Sequence, residues 1–351
     1  MVVLPRDQRD TIATYLAAHY PVKPAPAGVM LSGPATVQIT EWMAPTLGSR
    51  PHDPLAAADG SIWWSGMFSN HLGRVDPRTG AIKEFPLPTA GSSPHALVED
   101  RAGNIYFTAI NKNYIGKFDP KTGSVVENPT AKADPAARSP HTLIFDQKGT
   151  LWFTMQSGHV GRLNPSTGEM KIVASPSGGN SYPYGIQVNS QGVPWYVDFR
   201  GNRIASVNPA TMAITEVTLP DPAARPRRLT ITPDDVIWYT DFARGMLGRY
   251  DPKSGTFSEW ASPGGEDSEP YGIASIGNTI WYSESGVRPN TLVRFDPQAG
   301  KFQTWAIPSG GGVVRNMMRT VNGTGLVLAC SGVNRVALVS IGVAPAVART
   351  N

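Results

Sequence analysis

Seven residues with chemically capable side chains stand at equivalent places in this sequence: His52, His95, His141, Tyr184, Arg227, Tyr271 and Arg315. Each follows the residue that opens one of seven similar segments. That residue is proline six times (Pro51, Pro94, Pro140, Pro183, Pro226 and Pro270) and valine once, Val314. A purely structural position would accept alanine or valine, yet all seven are polar or aromatic. Gathered in one concavity, such groups form a candidate site. The imidazoles offer proton transfer, Arg227 and Arg315 suit a carboxylate or phosphate, and Tyr184 and Tyr271 suit a flat ring. Three histidines on adjacent repeats would also suit a transition metal with an open coordination position. The structural alternative is that these side chains plug a channel mouth and bond to loops.

A second set lies two residues beyond seven recurring aromatic or apolar pairs: Gly66, Ala109, Met155, Asp198, Asp241, Glu284 and Cys330. Its three carboxylates fall on consecutive repeats, and Glu269, just before Pro270, adds a fourth. Carboxylates crowded into one sector call for a cation, or for Arg227 and Arg315, among them. Glu284 is expected to face the channel. The alternative for Asp198 and Asp241 is pairing with arginine in loops. Cys330, within LVLAC, reads as inert core.

The elements that must position these groups follow from a repeat of about 43 residues. Trp63-Trp64, Tyr106-Phe107, Trp152-Phe153, Trp195-Tyr196, Trp238-Tyr239 and Trp281-Tyr282 are spaced by 43, 46, 43, 43 and 43 residues, with a degenerate copy at Val327-Leu328. Turns of Asp-Pro-x-x-Gly type begin at Asp76, Asp119, Asn164, Asp251 and Asp296. There Asp or Asn caps the turn, proline presets φ and glycine permits positive φ. Glycines in the third segment (Gly73, Gly116, Gly161, Gly248) are expected to let neighbouring units pack closely, with the aromatics between them. Four short antiparallel strands per repeat predict an all-β, seven-bladed β-propeller over residues 35–345. The last repeat lacks an outer strand, and Val37–Trp42 matches that pattern. An N-terminal strand is therefore expected to close the ring. Residues 1–34 form an extension with a short helix over 5–19, apolar at Ile12, Tyr15 and Leu16. It reads as a packing or tethering helix.

Composition narrows the function classes. With 31 basic and 27 acidic residues and no run of five or more Lys/Arg, nucleic-acid binding is not indicated. One cysteine excludes an intrachain disulfide and a zinc finger. No stretch of 18 apolar residues predicts a membrane span, and no motif for a nucleotide is present. A monomer with a small-molecule ligand in its central funnel is expected, in the periplasm or the cytoplasm.

The [Ile/Leu]-Trp-[Phe/Tyr]-Thr repeat, the following Gly-Arg, the Asp-Pro-x-x-Gly turns and the inner Pro-His or Pro-Tyr-Gly-Ile resemble the streptogramin B lyase (virginiamycin B lyase) family over residues 36–341. The resemblance implies elimination that opens a cyclic ester without water. It also implies a divalent metal, magnesium, on Glu269 and Glu284. The family's general-base histidine falls at Tyr271 and its substrate-contacting histidine at Arg227. A tyrosine near its ordinary pKa of ~10 is a poor base at neutral pH without activation by a cation such as Arg227. The expectation is a metal-dependent lyase or hydrolase of an ester- or lactone-type bond, with Tyr271, His95 or His141 as base. Arg227, Tyr184, Arg315 and His52 would then contact substrate. The alternative is a non-catalytic propeller that binds a ligand or a partner. The N-terminal stretch resembles the last helix of cytochrome c domains, which implies a redox partner protein. It has no Cys-x-x-Cys-His, so no haem attaches to it.

Overall fold

A computed structural model describes residues 5–20 and 24–343. Its strands form seven four-stranded antiparallel sheets arranged as blades, six of them running from an inner strand to an outer one in chain order. The inner strands begin at Pro51, Pro94, Pro140, Pro183, Pro226, Pro270 and Val314, and they define blades 1 to 7. The seventh sheet has the order inner, second, third, then Ala35–Met43, which pairs with Arg335–Val343 from Ala35↔Val343 to Met43↔Arg335. The expected closure by an N-terminal strand is thus observed, and no blade is left one strand short.

The aromatic pairs divide their work by the two-residue period of a strand. The first member reaches between blades: Trp63 stacks on Phe85 at 5.3 Å and meets Phe118 of blade 2 at 5.9 Å. The second lies over the glycine paired with it across its own sheet. A Cβ on Gly73 would sit 2.0 Å from Trp64, and one on Gly116 2.2 Å from Phe107. These glycines therefore make room for a ring of the same blade, which corrects the expectation that they bring neighbouring blades together.

The sheet ladder breaks just after the first residue of every inner strand, as between Pro51 and Pro54 or Pro140 and Leu143. Such bulges let two successive residues leave the normal alternation. The freed backbone groups are bonded by a hydroxyl from the adjacent second strand. Thr108 Oγ1 accepts from Ala96 N–H (3.0 Å) and donates to the His141 carbonyl of the next blade (2.7 Å). Ser65, Thr154, Thr240 and Ser283 repeat the arrangement. Blade 4 has Val197 at this position, which has no hydroxyl to offer.

The helix spans Arg6–His19 and buries none of its residues; Tyr15 and Leu16 are about half exposed. Of the two readings of this helix, packing or tethering, packing against the propeller is not seen among the described residues. The strap after it does touch blade 6, where Gly28 N–H donates to the Arg288 carbonyl (3.3 Å) and Thr304 Oγ1 to the Val29 carbonyl (2.5 Å). Among the described residues, no helix is long and apolar enough to cross a membrane.

Candidate functional site

The bulges bring the seven predicted residues together at one end of the channel. His52, His95, His141 and Tyr184 form a continuous row of tilted rings, with centroids separated by 3.7, 3.9 and 3.8 Å and planes inclined by 41°, 46° and 41°. Tyr184 and Tyr271 share a hydroxyl–hydroxyl hydrogen bond of 2.6 Å. The Arg227 guanidinium lies 3.8 Å over the Tyr271 ring, 4.0 Å over Phe242 and 4.5 Å over Phe199. All five rings of the set are buried, whereas Arg227 and Arg315 are half-exposed. The arginines therefore form the outer surface of the site and the rings its floor.

Beneath this ring is a layer that the sequence reading missed, formed by the second residue of each bulge. Asp53 Oδ1 accepts from His52 Nδ1 (2.9 Å), and the same carboxylate forms a buried ion pair with Arg228 on the far side of the channel (2.9 Å). Asn316 Nδ2 also donates to it (2.9 Å), and Arg228 reaches Thr142 Oγ1 (3.3 Å). Thr142 in turn meets His141 Nδ1 at 2.8 Å. A signal was available: at this position the repeats carry Asp53, Ala96, Thr142, Gly185, Arg228, Gly272 and Asn316, and only two of the seven are charged. The two-residue period of a regular strand would send these side chains away from the first ring, so they drew no notice.

The electrostatics separate the two halves of the ring. Burial first, and then Arg315, Arg228, Arg50 and Arg227, hold His52 well below its ordinary pKa. Burial and neighbouring charges likewise hold His95 and His141 down. All three imidazoles are neutral at neutral pH. Burial would raise Tyr271, but Arg227, Arg228, Arg315 and the Tyr184 hydroxyl together bring it below the ordinary tyrosine value. Tyr184 moves upward through burial and its tyrosine neighbour. In this pair Tyr271 is the more acidic hydroxyl because Arg227 lies closer to it, at 3.8 Å against 5.5 Å for Tyr184.

The second set sits where the repeat places it, at the end of each second strand, opposite the opening proline or Val314. Its carboxylates are held by nearby donors, and Asp198 and Asp241 pair with arginine as the alternative reading has it. Asp198 accepts from Tyr182 N–H (2.7 Å) and pairs with Arg203 (3.0 Å); Asp241 accepts from Arg225 N–H (2.9 Å) and pairs with Arg244 (3.1 Å). Their cations are therefore Arg203 and Arg244 rather than Arg227 and Arg315. Glu284 accepts from Ser262 Oγ (2.6 Å), Gly264 N–H (2.6 Å) and Thr291 Oγ1 (2.5 Å). Ser262 and Gly264 follow the outer strand of blade 5 and Thr291 opens the third strand of blade 6, so the Glu284 oxygens are engaged by neighbouring elements. Cys330 is buried, as expected.

Two groupings invite a cation, and neither fits one as it is arranged. Three of the four lone-pair sites of Glu284 are taken by Ser262, Gly264 and Thr291, so one at most is open to a metal shared with Glu269. Glu269 itself has φ 48°, but Arg50, Ser93 and Ser139 at the same repeat position have φ 55°, 55° and 56°. That backbone belongs to the repeat, then, and is no mark of a metal site. The side chains of His52, Asp53 and His95 offer ligand atoms within 4.8 Å of one another. Asp53, however, already accepts from His52, Arg228 and Asn316, and the arginines around this point oppose a positive ion.

The molecule is thus a seven-bladed propeller with a cationic, aromatic-walled site at one channel mouth. The chain belongs to the virginiamycin B lyase family, whose sequence profile matches residues 34–163 and 128–341. Among solved structures, selenomethionine-substituted virginiamycin B lyase from Staphylococcus aureus is similar with a TM-score of 0.78 and 23% identity, covering 87% of this chain and 99% of that one. A catalytically inactive His-to-Ala variant of that lyase, with quinupristin, gives 0.76 and 22% over 87% and 99%. Kuenenia stuttgartiensis hydrazine synthase gives 0.70 and 13% over 85% and 97%. At these identities the likeness is one of fold. A search of curated proteins gives no match.

Proposed function

We propose that this chain is a lyase-type enzyme that eliminates across an ester- or lactone-type bond of a small molecule, with Tyr271 as the base. The observation that carries this reading is the Tyr271 hydroxyl, bonded to Tyr184 and drawn below its ordinary pKa under Arg227. Once deprotonated, its oxygen takes a proton from the carbon next to a carbonyl. The C–H electron pair becomes the new C=C bond, the C–O bond to the next carbon breaks, and its electrons leave on a carboxylate. Tyr271 then returns its proton to solvent.

His95 and His141 serve this step less well as bases. A group held well below pKa 6.5 has little driving force to take a proton from carbon. As neutral imidazoles they suit hydrogen bonding to an uncharged substrate oxygen. Magnesium on Glu269 and Glu284 finds no support in the arrangement of Glu284, and no step is routed through it.

The test is a panel of lactones and cyclic esters read by the absorbance of the new conjugated double bond. Wild type should form product, and Tyr271→Phe should lose about 10²–10⁴-fold in rate. An unchanged rate in the Phe variant would remove Tyr271 from the mechanism. A second reading is a binding propeller without chemistry, favoured by the complete burial of Tyr271 and His141 beneath the arginines. Ligand binding with no product from any member of the panel would establish it.

A further inference from the structure

The charges at the channel mouth do not balance. Arg50, Arg227 and Arg315 form no ion pair with any carboxylate among the described residues. Asp53 is committed to Arg228, Asp198 to Arg203, Asp241 to Arg244 and Glu284 to neutral donors, while Glu269, just before Pro270, forms no ion pair with any of the three arginines. The Nε atoms of Arg227 and Arg315 are buried and have no hydrogen-bond partner. Desolvating a guanidinium nitrogen without an acceptor is costly, as is holding like charges together. Arg315 stands close enough to lower the Arg50 pKa, after burial.

Aromatic faces hold two of these cations in place. Arg50 lies 4.4 Å over Phe68, and Arg227 lies among Phe199, Phe242 and Tyr271. Such faces favour a cation without neutralising it. The mouth is therefore a set of oriented guanidiniums backed by flat apolar walls.

We infer that the ligand of this funnel carries a carboxylate on a flat apolar body, with the carboxylate seated between Arg227 and Arg315 and Arg50 at the rim. A planar carboxylate matches the guanidinium fork, and the ring walls accept a flat body. The inference rests on the funnel being the ligand site. It also accounts for access, because Tyr271 is fully buried beneath Arg227. An anion that draws the guanidinium outward uncovers the ring below.

The test is calorimetric titration of the full chain with benzoate, with benzamide as the neutral isostere and phenyl phosphate as the phosphoryl arm. Benzoate should bind saturably, benzamide at least ~10-fold more weakly, and added salt should weaken benzoate. Arg315→Ala and Arg50→Ala should each weaken benzoate about 10- to 100-fold while the thermal melt stays cooperative. Equal binding of benzoate and benzamide, or unchanged affinity in both folded variants, would overturn the inference. Binding of phenyl phosphate with none of benzoate would overturn the carboxylate assignment. Wild type that binds benzoate yet forms no product from any lactone would sink the elimination mechanism and leave anion recognition standing, so the two failures are separately visible.

Discussion

Blades 1 to 3 and blades 4 to 7 present the same backbone to the channel mouth and opposite chemistry on it. In the first sector His52, His95 and His141 are in tilted ring contact, buried and neutral. In the second, Tyr184, Arg227, Tyr271 and Arg315 join an acidified phenol to guanidiniums without carboxylate partners. The bulge is common to both sectors, so the repeat determines where side chains stand and the substitutions determine the field. Neutral imidazoles form the wall against which the positive sector acts, and the sectors are linked by one buried pair, Asp53 with Arg228.

That link gives the largest expected effect. Asp53→Ala would leave Arg228 buried and uncompensated, at a cost of about 3–5 kcal/mol in urea unfolding. Asp53→Asn combined with Arg228→Leu should cost less than the single alanine change. Equal losses would show that the pair is not coupled.

Acid should next break the histidine sector alone. The folded pKa values of the three imidazoles lie below the ordinary 6.5, so the unfolded chain binds protons that the folded chain refuses. Their contribution is intact above about pH 6.5 and is lost as pH falls below it, by up to ~1.4 kcal/mol per pH unit for each histidine. Unfolding curves between pH 7 and 5, with His141→Gln as the comparison, measure this slope.

The positive sector is sharpened by Arg227→Ala, which should move the Tyr271 titration upward, read by tyrosinate absorbance against Tyr271→Phe. The smallest effects concern the hydroxyls between blades. Thr154→Val should cost about 1 kcal/mol at the boundary of blades 3 and 4, and Val197→Thr should gain a few tenths at the next boundary. Thermal melting of the two variants checks both signs.

The spacing of the aromatic pairs made the blade count, the closing strand and the seven ring residues legible in the sequence. Asp53 and Arg228 were not, because a regular two-residue alternation points them away and only the bulge turns them in. Arg50 was readable in principle, since it precedes Pro51 as Glu269 precedes Pro270. Glu284 misled for a different reason: its partners Ser262 and Gly264 belong to a loop whose course the repeat does not specify. The glycines under Trp64 and Phe107 were assigned to the wrong neighbour, because spacing shows that room is needed without showing which ring needs it.

The closing strand also bears on how the chain reaches this fold. Ala35 pairs with Val343 across roughly 300 residues of intervening sequence, whereas the other strand pairs join neighbouring segments. The entropy of bringing those ends together grows slowly with length, but it precedes any gain from the last sheet. Blades 1 to 6 can assemble from local hairpins, and blade 7 must wait for both ends of the ring. Ring closure is thus the expected slow step of folding, and Glu41, which accepts from Ser309 N–H at 2.9 Å, is placed to hold the seam once it forms.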